Sequence, residues 1–131
     1  VTRALLPAMK ARRSGKIINV CSLAADLGRP NIVPYATSKG ALRMLTRALA
    51  VELAPSNIQV NGISPGFFRT EMNAQLIDDA EFSAWVARRT PAGRWGEPAE
   101  IAGAAVFLAS AAANYVTGHL LYVGGGFSAA Y

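Results

Sequence analysis

Three short apolar runs fix what this chain can become: "KIINVCS" at 16–22, "NIQVNGIS" at 57–64 and "HLLYVGGG" at 119–126. Each is rich in branched aliphatic residues and bounded by glycine, proline or a polar loop. In the first run, continuous apolarity over so few residues suits a strand covered on both faces of a parallel sheet; the second is a further buried-strand candidate, and the third is a final strand running into glycines. Between the runs the apolar period changes to that of a helix. Leu5, Leu6 and Met9 give the first segment one apolar face, with Pro7 inside it. Ala41, Leu42, Leu45, Ala48, Leu49 and Leu53 give a broad face to a helix that opens near Tyr35 and ends before Pro55. Residues 97–110 form a further helix, with Pro98 placed in its first turn. The predicted order is α-β-α-β-loop-α-β. Strands separated by helices require crossover connections and a parallel sheet with helices on both sides.

Composition narrows the class. Of 131 residues 52% are hydrophobic and 16% charged, which favours a packed interior over disorder. No apolar run reaches the ~18 residues needed to span a bilayer. Residues 1–3 lead into a helical pattern and not into a signal peptide, and the lone Cys21 rules out an internal disulfide framework or a multi-cysteine metal site. The expectation is a cytoplasmic protein without a membrane or metal partner. The net charge of +5 is spread along the chain, with one dense cluster, "KARR" at 10–13, placed where cations complement a helix dipole. No groove-entering motif accompanies it, so nucleic acid is not an expected partner.

The chemistry concentrates in "CSLAADLGRPNIVPYATSKGA" at 21–41. Tyr35 and Lys39 stand four apart at a helix start, so both project from one face. A phenol ordinarily titrates near ~10, and an ammonium held nearby stabilises the phenolate. Such a tyrosine can give a proton to a carbonyl oxygen or take one from an alcohol. Ser22 ends the first strand, and in an open α/β sheet ligands bind beyond the carboxyl ends of the strands. A hydroxyl there can donate to the oxygen the tyrosine protonates. A Tyr-x-x-x-Lys pair alone is common on helices. The preceding strand-end serine and the following "ISPGFFRT" make the combination specific.

With these motifs the chain resembles the short-chain dehydrogenase/reductase family over essentially its whole length. "GKIINVCS", "YATSK", "VNGISPGFFRTEM", "PAGRWGEPAEIAGAAVFLAS" and "YVTGHLLYVGGGF" occur in the family's order. The resemblance implies an oxidoreductase that interconverts a secondary alcohol and a ketone using NAD or NADP. Tyr35 would exchange the proton, Ser22 would polarise the carbonyl, and Lys39 would hold the nicotinamide ribose. Pro65 and Gly66 would approach the nicotinamide, Phe68 would bond its carboxamide through the backbone, and Thr70 would touch the carboxamide or pyrophosphate. Within the family, "TEMNAQLIDDAEFSAWVARRTPAGRWGEP" at 70–98 looks most like that of members that interconvert gluconate and 5-ketogluconate. Acyl-carrier-protein ketone reductases and polyol dehydrogenases are the alternatives within the family, and a non-catalytic assembly unit is the alternative outside it. In the 67–95 segment Met72, Phe82, Trp85 and Trp95 are candidates for a substrate lid, the alternative being loop packing. Arg88, Arg89 and Arg94 are candidates to meet a carboxylate, with Arg94 and His119 more naturally structural. The resemblance also implies a homotetramer packed through long helices and the last strand.

Two departures qualify the match. The 131 residues contain no Gly-x-x-x-Gly-x-Gly turn between a strand and a helix. Gly124 stands where the family commonly has aspartate, and Cys21 where a second serine is frequent; Cys21 reads as a small strand residue. The expectation is therefore a single partial domain over 1–131, the C-terminal half of a doubly wound Rossmann fold whose N-terminal dinucleotide-binding half is missing from the chain.

Overall fold

The computed structural model describes residues 2–130; positions 1 and 131, the ends of the expected unit, lie outside the described residues. Three strands, β1 (Gly15–Val20), β2 (Ile58–Pro65) and β3 (Leu120–Val123), form one parallel sheet in the order β1-β2-β3. Helix α1 (Thr2–Ala11) precedes β1 and runs through Pro7; α2 (Val33–Leu53) connects β1 to β2. Between β2 and β3 come two short helices, α3 (Ala74–Asp78) and α4 (Ala80–Arg89), and then α5 (Ala99–Ala109). The expected element order is the observed one. Pro98 stands at the N-cap of α5, one residue outside the helix, with its backbone already at helical angles (φ −52°, ψ −34°).

Alternation along β2 places Ile58 and Val60 on one face and Ile63 on the other. The first face packs against Ala50 and Leu53 of α2, with Leu6 and Met9 of α1 and Ile17 of β1 alongside. The second packs against Leu108 of α5 and Ala113, with Ile18, Leu121 and Val123. This two-sided cover explains why β2 is buried along nearly its whole length. β1 departs from expectation: its residues are half-buried and Val20 is 63% exposed. It is an edge strand among the described residues, pairing only with β2.

Helix α2 also turns a different face inward from the one its apolar residues suggest. Leu42, Thr46, Leu49, Ala50 and Leu53 point to the sheet, while Met44, Leu45 and Val51 are exposed. The helix carries more apolar surface than one sheet face can cover. Thr46 goes inside because its hydroxyl is satisfied twice, donating to Leu42 O at 2.8 Å and accepting from Asn19 Nδ2 at 2.9 Å. The approach to β3 is fixed by polar bonds from β2. Gly118, in the left-handed region at φ 75°, donates to Val60 O, and Thr117 Oγ1 accepts from Val60 N. Asn61 bonds both sides of that turn, donating to Val116 O at 2.7 Å and accepting from His119 N at 3.0 Å.

Candidate active site

The carboxyl ends of β1 and β2 open into a cleft of about 740 Å³. The hydrogen-bonded ladder continues one residue past β1, with Cys21 N donating to Ile63 O at 2.7 Å. Ser22 then leaves the sheet in an extended conformation (φ −168°, ψ 157°) and caps the 3-10 turn Leu23–Ala25, its Oγ accepting from Ala24 N at 3.1 Å. An accepting hydroxyl still has its proton to donate, and Ser22 lines the cleft.

Pro34 in the first turn of α2 helps set the helix start, and Tyr35 and Lys39 follow on one face, both lining the cleft. Lys39 Nζ donates to Val20 O at 2.8 Å and lies 5.7 Å from the Tyr35 ring centroid. That bond ties α2 to the end of β1, and an ammonium has two further N–H groups to offer. Tyr35 is 47% exposed, so its hydroxyl is open to a ligand.

The exit of β2 supplies the opposite wall: Pro65, Gly66, Phe68 and Thr70 all line the cleft. A Cβ on Gly66 would stand 2.7 Å from Gly124 Cα, so bare backbone at 66 is what lets the ends of β2 and β3 lie together. The Phe68 carbonyl already accepts from Asn73 Nδ2 and from Thr70 N, both at 2.9 Å. The Phe68 N–H has no acceptor among the described residues, leaving a donor for a ligand.

In the variable segment Met72 and Trp85 line the cleft. Phe82 and Trp95 stand behind the wall, in an aromatic box with Phe67, Trp85 and Phe127 whose ring centroids are 5.2–6.2 Å apart. Arg88 lies outside the cleft. The packed side of α4 carries Trp85, Val86 and Arg89, and a helix step of one residue turns Arg88 to solvent. Arg89 lines the cleft and donates to Phe127 O and Ala130 O. Arg94 is engaged with Glu100 through both terminal nitrogens, at 2.8 and 2.7 Å, and holds that carboxyl down to about 2. His119 is the backbone partner of Asn61 and Gly62 at the start of β3. Cys21 is buried against Gly62, and burial pushes its thiol up.

A set of contacts behind the cleft joins three separate segments and has no signature in any one of them. Asp26, four residues after Ser22, accepts from Tyr122 Oη at 2.6 Å and pairs with Arg43 of α2. The hydrogen bond to Asp26 is also the main reason the Tyr122 hydroxyl titrates above its ordinary range. The residues Asp26, Arg43 and Tyr122 thus join the Ser22 loop, α2 and β3. Three cations, Arg29, Lys39 and Arg89, line the cleft, and no carboxylate does. Such a cavity favours anionic ligands.

The residues fit the nicotinamide end of a dinucleotide: a lysine with free donors, a tyrosine hydroxyl and a serine hydroxyl, with the unpaired Phe68 backbone N–H across the same cleft. Among the described residues no group of three His, Cys, Asp or Glu could hold a metal ion, and no helix is long and apolar enough to cross a membrane.

Comparison with known proteins gives a consistent picture. The family model described as enoyl-(acyl carrier protein) reductase matches residues 1–128. The 5-keto-D-gluconate 5-reductase of Escherichia coli K12 is 57% identical over 126 residues, 96% of this chain and 50% of that protein. The gluconate 5-dehydrogenase of Gluconobacter oxydans is 47% identical over 126 residues, 96% of this chain and 48% of that protein. A crystal structure of a gluconate 5-dehydrogenase from Burkholderia cenocepacia J2315, in complex with NADP and tartrate, superposes with a TM-score of 0.98 at 53% identity, over 100% of this chain and 51% of that one. The chain spans about half the length of the curated relatives it matches.

Proposed function

Because the chain belongs to the short-chain dehydrogenase/reductase family, we propose that its protein is an NAD(P)-dependent oxidoreductase interconverting gluconate and 5-ketogluconate. The observation that carries this reading is the convergence of Ser22, Tyr35 and Lys39 on one cleft lined by cations and free of carboxylates. The relatives' substrates and the NADP and tartrate of the Burkholderia structure support it.

The nicotinamide, when bound, supplies or accepts the hydride. In the reducing direction Ser22 donates a hydrogen bond to the carbonyl oxygen and orients it. Tyr35 gives its phenolic proton to that oxygen as negative charge develops there. Lys39, anchored on Val20 O, uses its remaining N–H groups to hold the nicotinamide ribose hydroxyls and to stabilise the phenolate left behind. The Phe68 N–H binds the carboxamide, and Pro65, Gly66 and Thr70 complete that wall. Met72 and Trp85 close over the substrate from the variable segment.

The pyrophosphate and the adenosine need a strand–glycine-rich turn–helix unit that these 131 residues do not contain. We assign that unit to an N-terminal half that adds strands beside the unpaired edge of β1, in a protein about twice this length. The exposed Met44, Leu45 and Val51 on α2 support subunit packing through that helix, as in a tetramer. The assay is direct: the complete protein, given reduced cofactor and 5-ketogluconate, oxidises the cofactor only when the ketone is present. No ketone-dependent oxidation with sugar-acid ketones would contradict the proposal.

A further inference from the structure

Of the three cations on the cleft wall, two already have partners. Lys39 Nζ is bonded to Val20 O. Arg89 directs one terminal nitrogen to Phe127 O at 3.3 Å and the other to Ala130 O at 2.9 Å, with its guanidinium 4.7 Å from the Phe127 ring centroid. It holds the end of the chain against the aromatic box. Arg29 differs. It lines the cleft, yet makes no hydrogen bond or ion pair with any described residue. Its guanidinium carbon lies 5.9 Å from the Phe82 ring centroid. The loop joining Ser22 to Tyr35 therefore reaches across to α4 and presents an uncommitted fork there.

The Phe82 contact takes no hydrogen-bond acceptor, so the N–H edge of the guanidinium has no acceptor among the described residues. Such an edge matches a carboxylate with two parallel bonds, a geometry lysine cannot reproduce. The chemistry of the cleft is thus divided. Neutral hydroxyls at Ser22 and Tyr35 suit a carbonyl, and the free cation lies further along the same loop, against Phe82 of α4.

We infer that Arg29 is the residue that receives the substrate's carboxylate and so selects sugar acids over neutral sugars. The inference rests on the proposed sugar-acid activity. Phe82 acts as its backstop, limiting the rotamers of a long side chain before the ligand arrives. Arg88, on the solvent side of α4, takes no part.

The test uses the complete protein with its cofactor, comparing wild type with Arg29→Gln and Arg29→Lys. Loss of a charge-assisted bidentate contact predicts a KM for 5-ketogluconate about 10- to 100-fold higher in Arg29→Gln. Because the contact is made equally in ground and transition states, kcat stays within about threefold. The KM for the reduced cofactor is unchanged, and Arg29→Lys recovers part of the loss. An unchanged KM for the keto acid in Arg29→Gln overturns the assignment. So does an equal rise in the KM for the cofactor, which would make Arg29 a phosphate ligand, or a lysine variant no better than glutamine. Wild-type turnover separates the two levels. If wild type does not reduce 5-ketogluconate, the proposed function fails; if it does and Arg29→Gln is indifferent, only the role of Arg29 fails.

Discussion

Asn61 concentrates the attachment of β3 to β2 in a single side chain. It is 1% exposed, and its amide satisfies two backbone groups of the turn before β3, Val116 O at 2.7 Å and His119 N at 3.0 Å. Asn61→Leu keeps the branched shape of the side chain, leaves no cavity and deletes both bonds; its bulkier methyl groups can only add to the loss. A buried backbone group left without a partner costs about 1–3 kcal/mol. Val116 is half-buried while His119 is at the surface, where water can replace part of the loss. The sum is about 2–4 kcal/mol of destabilisation. Asn61→Ala should cost at least as much, because it adds unfilled space. The assay is urea unfolding of the complete protein at fixed protomer concentration, comparing midpoints at common slope. An Asn61→Leu protein within about 0.5 kcal/mol of wild type would show that these two bonds do not hold β3, since that is the scatter of neutral surface changes.

Asp26→Asn removes the charge that joins Arg43 and Tyr122 to the Ser22 loop. Because the pair is partly solvated, the stability loss is about 1 kcal/mol or less, and the sharper readout is faster amide exchange confined to residues 22–26. Unchanged exchange there would show that the triad does not hold the loop. The Arg94–Glu100 pair predicts a pH dependence. The Glu100 carboxyl is depressed to about 2 in the folded protein, chiefly by the hydrogen bond from Arg94. The contribution is therefore fully present above the unfolded carboxylate value of ~4.3 and is lost as pH falls through the folded one. The stability advantage of wild type over Glu100→Gln should shrink across that acid window; a constant difference would contradict it.

The strands and helices were legible because their apolar periods differ, and because glycine and proline mark the joints. Tyr35, Lys39 and Ser22 were legible as a group because each sits at a recognisable point of an element, a helix start or a strand end. What the sequence could not show depends on phase and on long-range contact. Arg88 and Arg89 are neighbours of the same type, and only the packing of α4 against Phe127 decides which faces the cleft. Thr46 is polar in sequence, yet it is wholly buried because Asn19 of β1 meets it. Tyr122 and Asp26 are 96 residues apart, and no local pattern announces their bond. Arg29 lies in a loop without periodicity; its one signal is a cation between Gly28 and Pro30 ahead of Tyr35. Burial of β1 on both sides was expected from its apolarity, but an edge strand without a neighbour on one side stays half-exposed.

In the proposed reaction Tyr35 moves the proton. Its side chain is half in solvent, and its hydroxyl has no protein hydrogen bond among the described residues, so Tyr35→Phe removes chemistry without disturbing the core. In the complete protein, measured with saturating reduced cofactor and 5-ketogluconate, Tyr35→Phe should lower kcat by about 10²- to 10⁴-fold. Cofactor affinity by fluorescence titration and the unfolding midpoint should stay at their wild-type values. A Tyr35→Phe enzyme that turns over near the wild-type rate would contradict the account.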